Sequence, residues 1–207
     1  VDATGKTLLV ANYATGSVAS LPVRDDGSLD EAASFFQHAG ASVDPARQAG
    51  PHAHSIVASL DNRFAYAADL GLDELLIYRL DAARATLAPN QTPRAKTPPG
   101  AGPRHLAFHP KGKYLYAINE LANSVTRFDY DRRSGALRER QTVSTLPREY
   151  QGKSYCADLK ITPDGRFLYG TNRGHDSIAI YAVDTRTGLL CFVGHEATRG
   201  RTPRNFA

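Results

Sequence analysis

The chain has 207 residues, of which 42% are hydrophobic, so it is long enough to form a sizeable core. Its 25 Lys and Arg against 21 Asp and Glu leave a net charge of +4. This excess is spread along the chain without a basic block, which argues against binding to nucleic acid. No apolar run approaches the ~18 residues of a membrane span and no signal peptide opens the chain, so we expect no membrane partner.

One short motif occurs four times along the chain. In each copy a turn containing Gly or Asn leads into an apolar strand that ends in Asn or Asp. The copies are GKTLLVAN (5–12), NRFAYAAD (62–69), GKYLYAIN (112–119) and GRFLYGTN (165–172). They begin 57, 50 and 53 residues apart. Self-similarity at such a period indicates stacked or radially arranged supersecondary units.

Each repeat contains four segments with the composition of short strands. In the third repeat these are 104–110, 113–119, 124–130 and the more polar 136–143, joined by turn-forming residues. The first repeat lacks its opening strand. Val, Ile, Tyr and Phe are frequent, and no segment shows a sustained helical period. The pattern predicts an all-β fold, a β-propeller of four-stranded antiparallel blades around a central channel.

We interpret residues 1–207 as a single, partial propeller domain. The repeats cover about residues 1–50, 51–102, 103–153 and 154–202, and a further repeat begins at residue 203. Linkers rich in Pro and Gly, such as 95–102, join the outer strand of one repeat to the inner strand of the next. Because the chain begins within a repeat and contains no Met, we expect it to be a piece of a longer protein.

Polar residues gather at one end of the predicted blades. The first two strands of a blade are antiparallel, so the first strand begins beside the end of the second. First strands begin at His54, Arg104, Ala157 and Arg204. Second strands end at Asn12, Asp69, Asn119–Glu120 and residues 172–175. The sequence therefore predicts a ring of His, Arg, Glu and Asp at the channel mouth, where charges are costly unless paired or functional.

Residues that break the repeat are functional candidates. Glu120 stands where the other repeats have Tyr, Leu or Arg, and His54 stands where two repeats have Arg. The recurring Asn and Asp are interpreted instead as caps of the loop backbone. The remaining strand histidines are interpreted as packed or are given no role: His105, His109, His38 and His195.

Two further observations bear on metal ions and thiols. His52 and His54 would face the same side of a strand, but no third ligand accompanies them at the spacing of a metal site. We therefore predict neither a metal nor a cofactor. Cys156 and Cys191 lie in strand-like segments without CxxC spacing, and we interpret them as buried thiols.

Longer motifs resemble those of a known family. GPHAHS, GAGPRHLAFHPKGKYLYAINELANSV, ITPDGRFLYGTNRGHDSIAIY and TPRNF, in this order, are similar to segments of the seven-bladed propeller lactonases. That family includes propeller-type bacterial 6-phosphogluconolactonases and the fungal carboxy-cis,cis-muconate lactonising enzyme. The resemblance covers essentially the whole chain, and it implies that about four of the seven blades are present.

The resemblance also implies a site at the channel mouth. His54, Arg104 and Glu120 match the catalytic His, Arg and Glu of the family, in GPHAHS, GPRH and NEL. The candidates for substrate binding are His52, Arg173, His175 and Arg204. A histidine that titrates near neutral pH would act as general base, with Glu120 orienting it or serving as the alternative base. The arginines would stabilise an oxyanion or hold a phosphate.

Three functions compete for this site. Hydrolysis of a lactone, above all 6-phosphogluconolactone, is favoured, with an anionic lactone or sugar phosphate as the small-molecule partner. The alternatives are a cycloisomerase acting on carboxymuconate and a non-catalytic propeller that binds protein or glycan. Concentrated His, Arg and Glu favour an enzyme, because a binding module would expose aromatic and apolar residues. We expect a cytoplasmic location, or a periplasmic one if a signal peptide precedes this segment, and we expect the segment alone to be inactive.

Overall fold

The computed structural model describes residues 1–207 and consists of fifteen strands in four antiparallel sheets. The first sheet contains β1 (Thr7–Asn12), β2 (Ser17–Pro22) and β3 (Ser34–Gln37). The second contains β4 (Ala53–Ala58), β5 (Phe64–Asp69), β6 (Glu74–Asp81) and β7 (Thr86–Lys96). The third contains β8 (Pro103–Phe108), β9 (Tyr114–Asn119), β10 (Ser124–Tyr130) and β11 (Leu137–Ser144). The fourth contains β12 (Tyr155–Ile161), β13 (Phe167–Arg173), β14 (Ser177–Val183) and β15 (Leu190–Ala197).

Strands within each sheet pair in chain order, so we call the sheets blades 1 to 4. This confirms the prediction of an all-β propeller, including the missing opening strand of the first repeat. The division of the chain at the predicted blade boundaries stays a prediction, and residues 203–207 form no strand. The structure has no helix that could span a bilayer.

Backbone geometry explains the residue that opens each motif copy. Gly5, Asn62, Gly112 and Gly165 all have positive φ, between 59° and 73°. Glycine enters this region without the clash that a Cβ causes, and Asn tolerates it better than most residues. A tight turn at this point directs the chain into the central strands of each blade.

The apolar core lies between the blades. Blades 2 and 3 enclose one cluster of buried side chains, which includes Tyr66, Ile77, Leu115 and Phe128. Blades 3 and 4 enclose a second, and blades 1 and 2 a third. Every residue of β5 and β9 is buried, because both faces of these central strands are covered. This is why their sequences read as continuous apolar runs instead of alternating ones.

Tyrosine hydroxyls tie each central blade to the next. The Tyr66 hydroxyl of blade 2 donates to the carbonyl of Gly135 in a blade 3 turn, at 2.7 Å. Tyr116, at the same motif position in blade 3, donates to the carbonyl of Gly188 in blade 4, at 2.8 Å. Both bonds are buried, so each tie satisfies a phenol and a carbonyl that would otherwise lack a partner.

The recurring Asn side chains connect neighbouring strands within each blade. Their amides donate to a serine hydroxyl at the start of the third strand of the motif, in the pairs Asn12–Ser17, Asn119–Ser124 and Asn172–Ser177, at 2.9–3.2 Å. Asp69 alone accepts an N–H from its own loop, that of Gly71, as predicted. The prediction of loop caps was wrong for Asn12 and Asn119, whose amides bind side-chain hydroxyls. The Asn172 amide also donates to the carbonyl of Thr145 in the loop after β11, at 2.8 Å.

The two cysteines differ in exposure. Cys156 on β12 is buried, and burial raises the pKa of its thiol to about 12. Cys191 on β15 is exposed, so the prediction that both thiols are buried was wrong for this residue. The reason is its place on the outermost strand of blade 4, where one face meets solvent.

Candidate active site

Three β-bulges, one in the first strand of each of blades 2, 3 and 4, leave residues of the site outside the strand pairing. The first strand of blade 2 skips His54 in its pairing with β5, since Ala53 pairs with Asp69 and Ser55 with Ala68. In blade 3 the same shift skips Arg104. In blade 4 it skips Ala157 and Asp158. A bulge leaves a residue outside the ladder and turns its side chain, so one irregularity repeated in three blades supplies four unpaired positions at the start of the first strands.

A buried ion pair joins Arg104 to Glu120. The Arg104 side chain is 2% exposed, and its Nε donates to Glu120 Oε2 at 3.0 Å. Its Nη1 donates to the carbonyl of Ala157 at the blade 4 bulge. Burial, together with the positive charge of Arg173, lowers the pKa of Arg104 from its usual range. The guanidinium therefore reaches from blade 3 to blade 4 and is fixed at both ends.

Glu120 forms ion pairs with three arginines. Besides Arg104, Arg173 approaches Oε2 at 2.7 Å and Arg47 approaches Oε1 at 2.7 Å. Burial raises the pKa of Glu120, but the hydrogen bonds from Arg47 and Arg173 and the charge of Arg104 outweigh it and hold the pKa below its usual range. One carboxylate thus neutralises one of three guanidinium charges, which leaves a local excess of positive charge.

Tyr155, at the start of β12, is surrounded by cations. The guanidinium carbons of Arg47 and Arg173 lie 5.6 and 6.0 Å from its ring centroid, and Lys153 Nζ lies 5.4 Å away. Cation–π contacts stabilise such charges only modestly. The patch around Tyr155 therefore adds to the positive potential beside Glu120 without cancelling it.

His54 lies among aromatic rings next to these charges. Its ring meets Tyr13 edge-on at 5.4 Å and His105 edge-on at 5.2 Å, and its Nδ1 is buried without a hydrogen-bond partner. Burial, followed by the charges of Arg104 and His105, lowers the pKa of His54 to about 3. The expectation that this histidine titrates near neutral pH was wrong, because low-dielectric surroundings and a neighbouring guanidinium both oppose its protonation.

His105 forms a dyad with Asp158. Its Nδ1 lies 2.7 Å from Asp158 Oδ1, and its Nε2 lies 3.3 Å from Arg104 Nη1. The Asp158 carboxylate is almost fully buried and is also approached by Lys160 at 3.2 Å and by the Asn205 amide at 3.0 Å. A packed and hydrogen-bonded histidine was the prediction for His105. The structure adds that the partner of His105 is the Asp158 carboxylate and that the His105 ring also contacts the Arg104 guanidinium.

The other predicted residues lie at different distances from this group. His52 stacks on Tyr13, with ring centroids 4.6 Å apart, and its Nδ1 lies 2.9 Å from the Tyr13 carbonyl, so it borders the His54 side of the site. Arg204 is exposed, and its charge contributes to the lowered pKa of Arg104. His175 lies apart, with Tyr150 at 4.7 Å, His195 at 5.3 Å and the Ser177 hydroxyl at 2.6 Å.

Several residues of the site were missed by the sequence analysis. Arg47 and Tyr13 lie in loops outside the repeated motif, so no repeat alignment could place them. Asp158 is hidden because the blade 4 bulge spans two residues, and only Ala157 aligns with His54 and Arg104. No group of three or more His, Cys, Asp or Glu side chains is arranged to hold a metal ion.

A family model described as a seven-bladed β-propeller lactonase matches residues 1–207. The chain belongs to this lactonase family. The resemblance carried by the GPHAHS, GPRH and NEL motifs is thereby confirmed.

Named relatives in this family are lactonases. The chain is 40% identical over 206 residues to a 6-phosphogluconolactonase of Bacillus subtilis strain 168, and 36% identical over 210 residues to one of Formosa agariphila. Among solved structures, the periplasmic gluconolactonase of Pseudomonas aeruginosa superimposes with a TM-score of 0.93 at 40% identity. Each comparison covers 100% of this chain but only 58–59% of the relative, so the chain spans about three fifths of their length.

Proposed function

We propose that the whole protein is a lactone hydrolase whose substrate is anionic, with 6-phosphoglucono-1,5-lactone as the first candidate. The observation that carries this proposal is the cluster of Arg47, Arg104 and Arg173 around the single carboxylate of Glu120. Buried positive charge in excess of its protein partners is costly, and an anionic ligand would offset that cost. The names of the relatives supply the reaction class.

Arginine is suited to both tasks that this reaction sets. Water attack on a lactone carbonyl generates an oxyanion, which a fixed guanidinium stabilises when it is held in place before the reaction. The same fork of N–H groups binds phosphate or carboxylate oxygens. Arg104 is the best placed for the oxyanion, since it is rigid, buried and adjacent to both His54 and His105. Arg47 and Arg173, together with Lys153, would then hold the charged group of the substrate.

Glu120 orients this cluster and is unsuited to accept a proton. Its two oxygens are occupied by three arginines, and its lowered pKa keeps it ionised at neutral pH. The role of alternative base, which the sequence analysis left open for Glu120, is therefore not part of the proposal. The cytoplasmic location also stays a prediction, and one relative is named as a periplasmic enzyme.

The experiment that tests the function is hydrolysis by the whole protein carrying Arg104→Lys. Lysine keeps the positive charge but loses the planar fork, so Glu120 stays neutralised while the oxyanion loses a fixed donor. We expect kcat to fall by ~10²–10³-fold on 6-phosphogluconolactone, the range seen when one oxyanion donor is removed. The kcat values of the wild type and of Arg104→Lys are compared after the rate of uncatalysed hydrolysis of the same lactone has been subtracted.

A matched substitution controls for loss of an arginine as such. Arg140 lies on β11 and pairs with Asp129 away from the mouth, so Arg140→Lys should leave kcat within about twofold. Carboxymuconate and unphosphorylated gluconolactone are assayed in parallel. Full activity of the Arg104→Lys protein on every lactone, or turnover of carboxymuconate alone, would contradict the proposed function.

A further inference from the structure

We infer that His105 is the general base of this site and that Asp158 is its positioning residue. This rests on the proposed hydrolysis. It departs from the family motif, in which the histidine of GPHAHS, here His54, is the matched candidate. Three features carry the inference: the tautomer that the neighbours of His105 impose, the partial exposure of its ring and its contact with Arg104.

The hydrogen-bond partners of His105 fix its tautomer. Asp158 is ionised, since the hydrogen bond from His105 and the charge of Lys160 outweigh the effect of burial and keep the carboxyl pKa below its usual range. A carboxylate can only accept, so His105 Nδ1 carries the proton. A guanidinium can only donate, so the Nε2 atom that faces Arg104 carries the lone pair. This is the tautomer in which a carboxylate-oriented histidine acts as a base.

His105 is also more accessible than the two residues that it contacts, Arg104 and Asp158. Its side chain is 26% exposed, whereas those of Arg104 and Asp158 are 2% and 3% exposed. The single lone pair of Nε2 faces Arg104 Nη1 at 3.3 Å, a long contact that an attacking water would replace as donor to Nε2. That water would lie beside the Arg104 guanidinium. Base and oxyanion donor therefore meet at one point of the mouth.

His54 is less suited to the task. Its pKa of about 3 makes it a weak base at neutral pH, and no carboxylate orients its ring. Its buried Nδ1 has no partner, and its contacts are with the rings of Tyr13 and His105. In this arrangement His54 packs against the His105 ring, with the ring centroids 5.2 Å apart.

The proposed step balances without any further reactant. His105 Nε2 takes one proton from water while the water oxygen bonds to the lactone carbonyl carbon, and Arg104 faces the oxyanion that forms. The tetrahedral intermediate then breaks the bond between that carbon and the ring oxygen. His105 returns its proton to the departing ring oxygen, which becomes a hydroxyl. The carboxylic acid product loses its proton to solvent.

The test uses His105→Asn in the whole protein. The amide nitrogen of Asn takes the place of Nδ1 and can still donate to Asp158, so the buried carboxylate keeps a partner while Nε2 is lost. We expect kcat to fall ~10²–10⁴-fold, the usual contribution of a general base, with a melting temperature close to that of the wild type. His105→Gln serves as a second variant if His105→Asn does not fold.

Two further variants separate a base from a structural role. In Asp158→Asn the neutral amide no longer favours the proton on Nδ1, so kcat falls while KM stays close to that of the wild type. The groups that face the ring are Asp158, Arg104 and His54, with Lys160 behind Asp158. In His54→Gln the loss should be no more than about tenfold, and the pH profile should keep its shape.

Histidine ¹⁵N NMR reads the tautomer independently of turnover, with the His105 signal identified by its absence in His105→Asn. A proton on Nδ1 and a bare Nε2 are expected near neutral pH. The opposite tautomer, or near-normal kcat in His105→Asn with a large loss in His54→Gln, would overturn the assignment of His105. Wild-type protein that hydrolyses no lactone would instead overturn the proposed function, and the role of His105 as base with it.

Discussion

His54 shows how surroundings alone can redirect the chemistry of one side chain. Imidazole titrates near neutral pH in water, but here burial and the charge of Arg104 oppose its protonation. His105, one bulge away on the next blade, has an ionised carboxylate as its neighbour instead. The two histidines are in T-shaped contact, yet their surroundings suit them to different roles, which the residue type alone does not reveal.

The low pKa of His54 predicts a specific dependence of stability on pH. Between about pH 6.5 and pH 3 the unfolded chain binds a proton at His54 and the folded chain does not. The free energy of unfolding is therefore unaffected by His54 above pH 6.5. As the pH falls below this value, His54 lowers it by at most ~1.4 kcal/mol per pH unit. The His54→Gln protein should lose stability less steeply over this range in urea titrations.

The comparison at pH 7.5 serves as the control for this prediction, because His54 is neutral there in both folded and unfolded states. The two proteins should then differ only by the contacts of the ring with Tyr13 and His105. If the free energy of unfolding fell equally steeply below pH 6.5 in the wild type and in His54→Gln, His54 would be readily protonated in the folded protein.

At the scale of strands and loops, one carboxylate connects the segments that carry the arginines. Asp73, in the turn between β5 and β6, accepts hydrogen bonds from the Ser42 hydroxyl at 2.5 Å and from the Gln48 amide at 2.8 Å. It also accepts the backbone N–H groups of Gly100 and Gly102, at 2.6 and 2.7 Å. The first two donors flank Arg47 in its loop, and the last two lie just before Arg104 on β8.

Replacing Asp73 by Asn should loosen both segments at once. Asn accepts the positive φ of 55° at this position, so the backbone is not strained. The NH2 group of Asn, however, can only donate, and it would face donors that one oxygen of the carboxylate had satisfied. We expect a loss of ~1–3 kcal/mol in the free energy of unfolding and a raised KM, measured by urea denaturation and lactone kinetics.

The exposed Asp25, which pairs with Lys6 on the surface, provides the control. Asp25→Asn makes the same chemical change and should alter neither stability nor KM appreciably. An Asp73→Asn protein with unchanged KM would mean that the arginines do not depend on this carboxylate for their position.

The same scale shows what a repeat alignment can and cannot predict. Strands, turns and the meeting of Arg104 with Glu120 followed from the period and from antiparallel pairing, both of which depend on local sequence. Arg104 and His105 are consecutive and should face opposite sides of a strand. The bulge between Pro103 and His105 brings both to the mouth, and nothing in the local composition indicates it. Arg47 was hidden because Asp73 fixes its loop through contacts distant in sequence.

At the scale of the whole molecule, the blades depend on one another through buried polar ties as well as apolar packing. Tyr116→Phe removes the hydroxyl that reaches Gly188 and leaves that carbonyl without a partner. We expect the free energy of unfolding of the 207-residue chain to fall by ~1–3 kcal/mol, as measured by urea denaturation. Tyr66→Phe should behave alike, because its bond to Gly135 is equivalent.

Tyr169 occupies the same motif position in blade 4, and its hydroxyl makes no hydrogen bond in this structure. Tyr169→Phe is therefore the matched control. It should leave the stability of the chain nearly unchanged. Equal losses at Tyr116 and Tyr169 would indicate that the effect of removing the hydroxyl does not come from its bond to the next blade, and the ties between blades would then carry little energy.

The ties of Tyr66 and Tyr116 run forward along the chain, whereas the Tyr181 hydroxyl of blade 4 donates back to the carbonyl of Ser144 in blade 3. The forward direction has a consequence for biosynthesis. Tyr66 and Tyr116 donate to carbonyls that lie 69 and 72 residues further on. At ~5–20 residues per second, a ribosome supplies each acceptor roughly 3 to 15 seconds after its donor. Blades 2 and 3 therefore each leave the ribosome with a tyrosine hydroxyl whose partner in the folded protein is still to be made. For these two blades, the order of translation is also the order in which their ties can form.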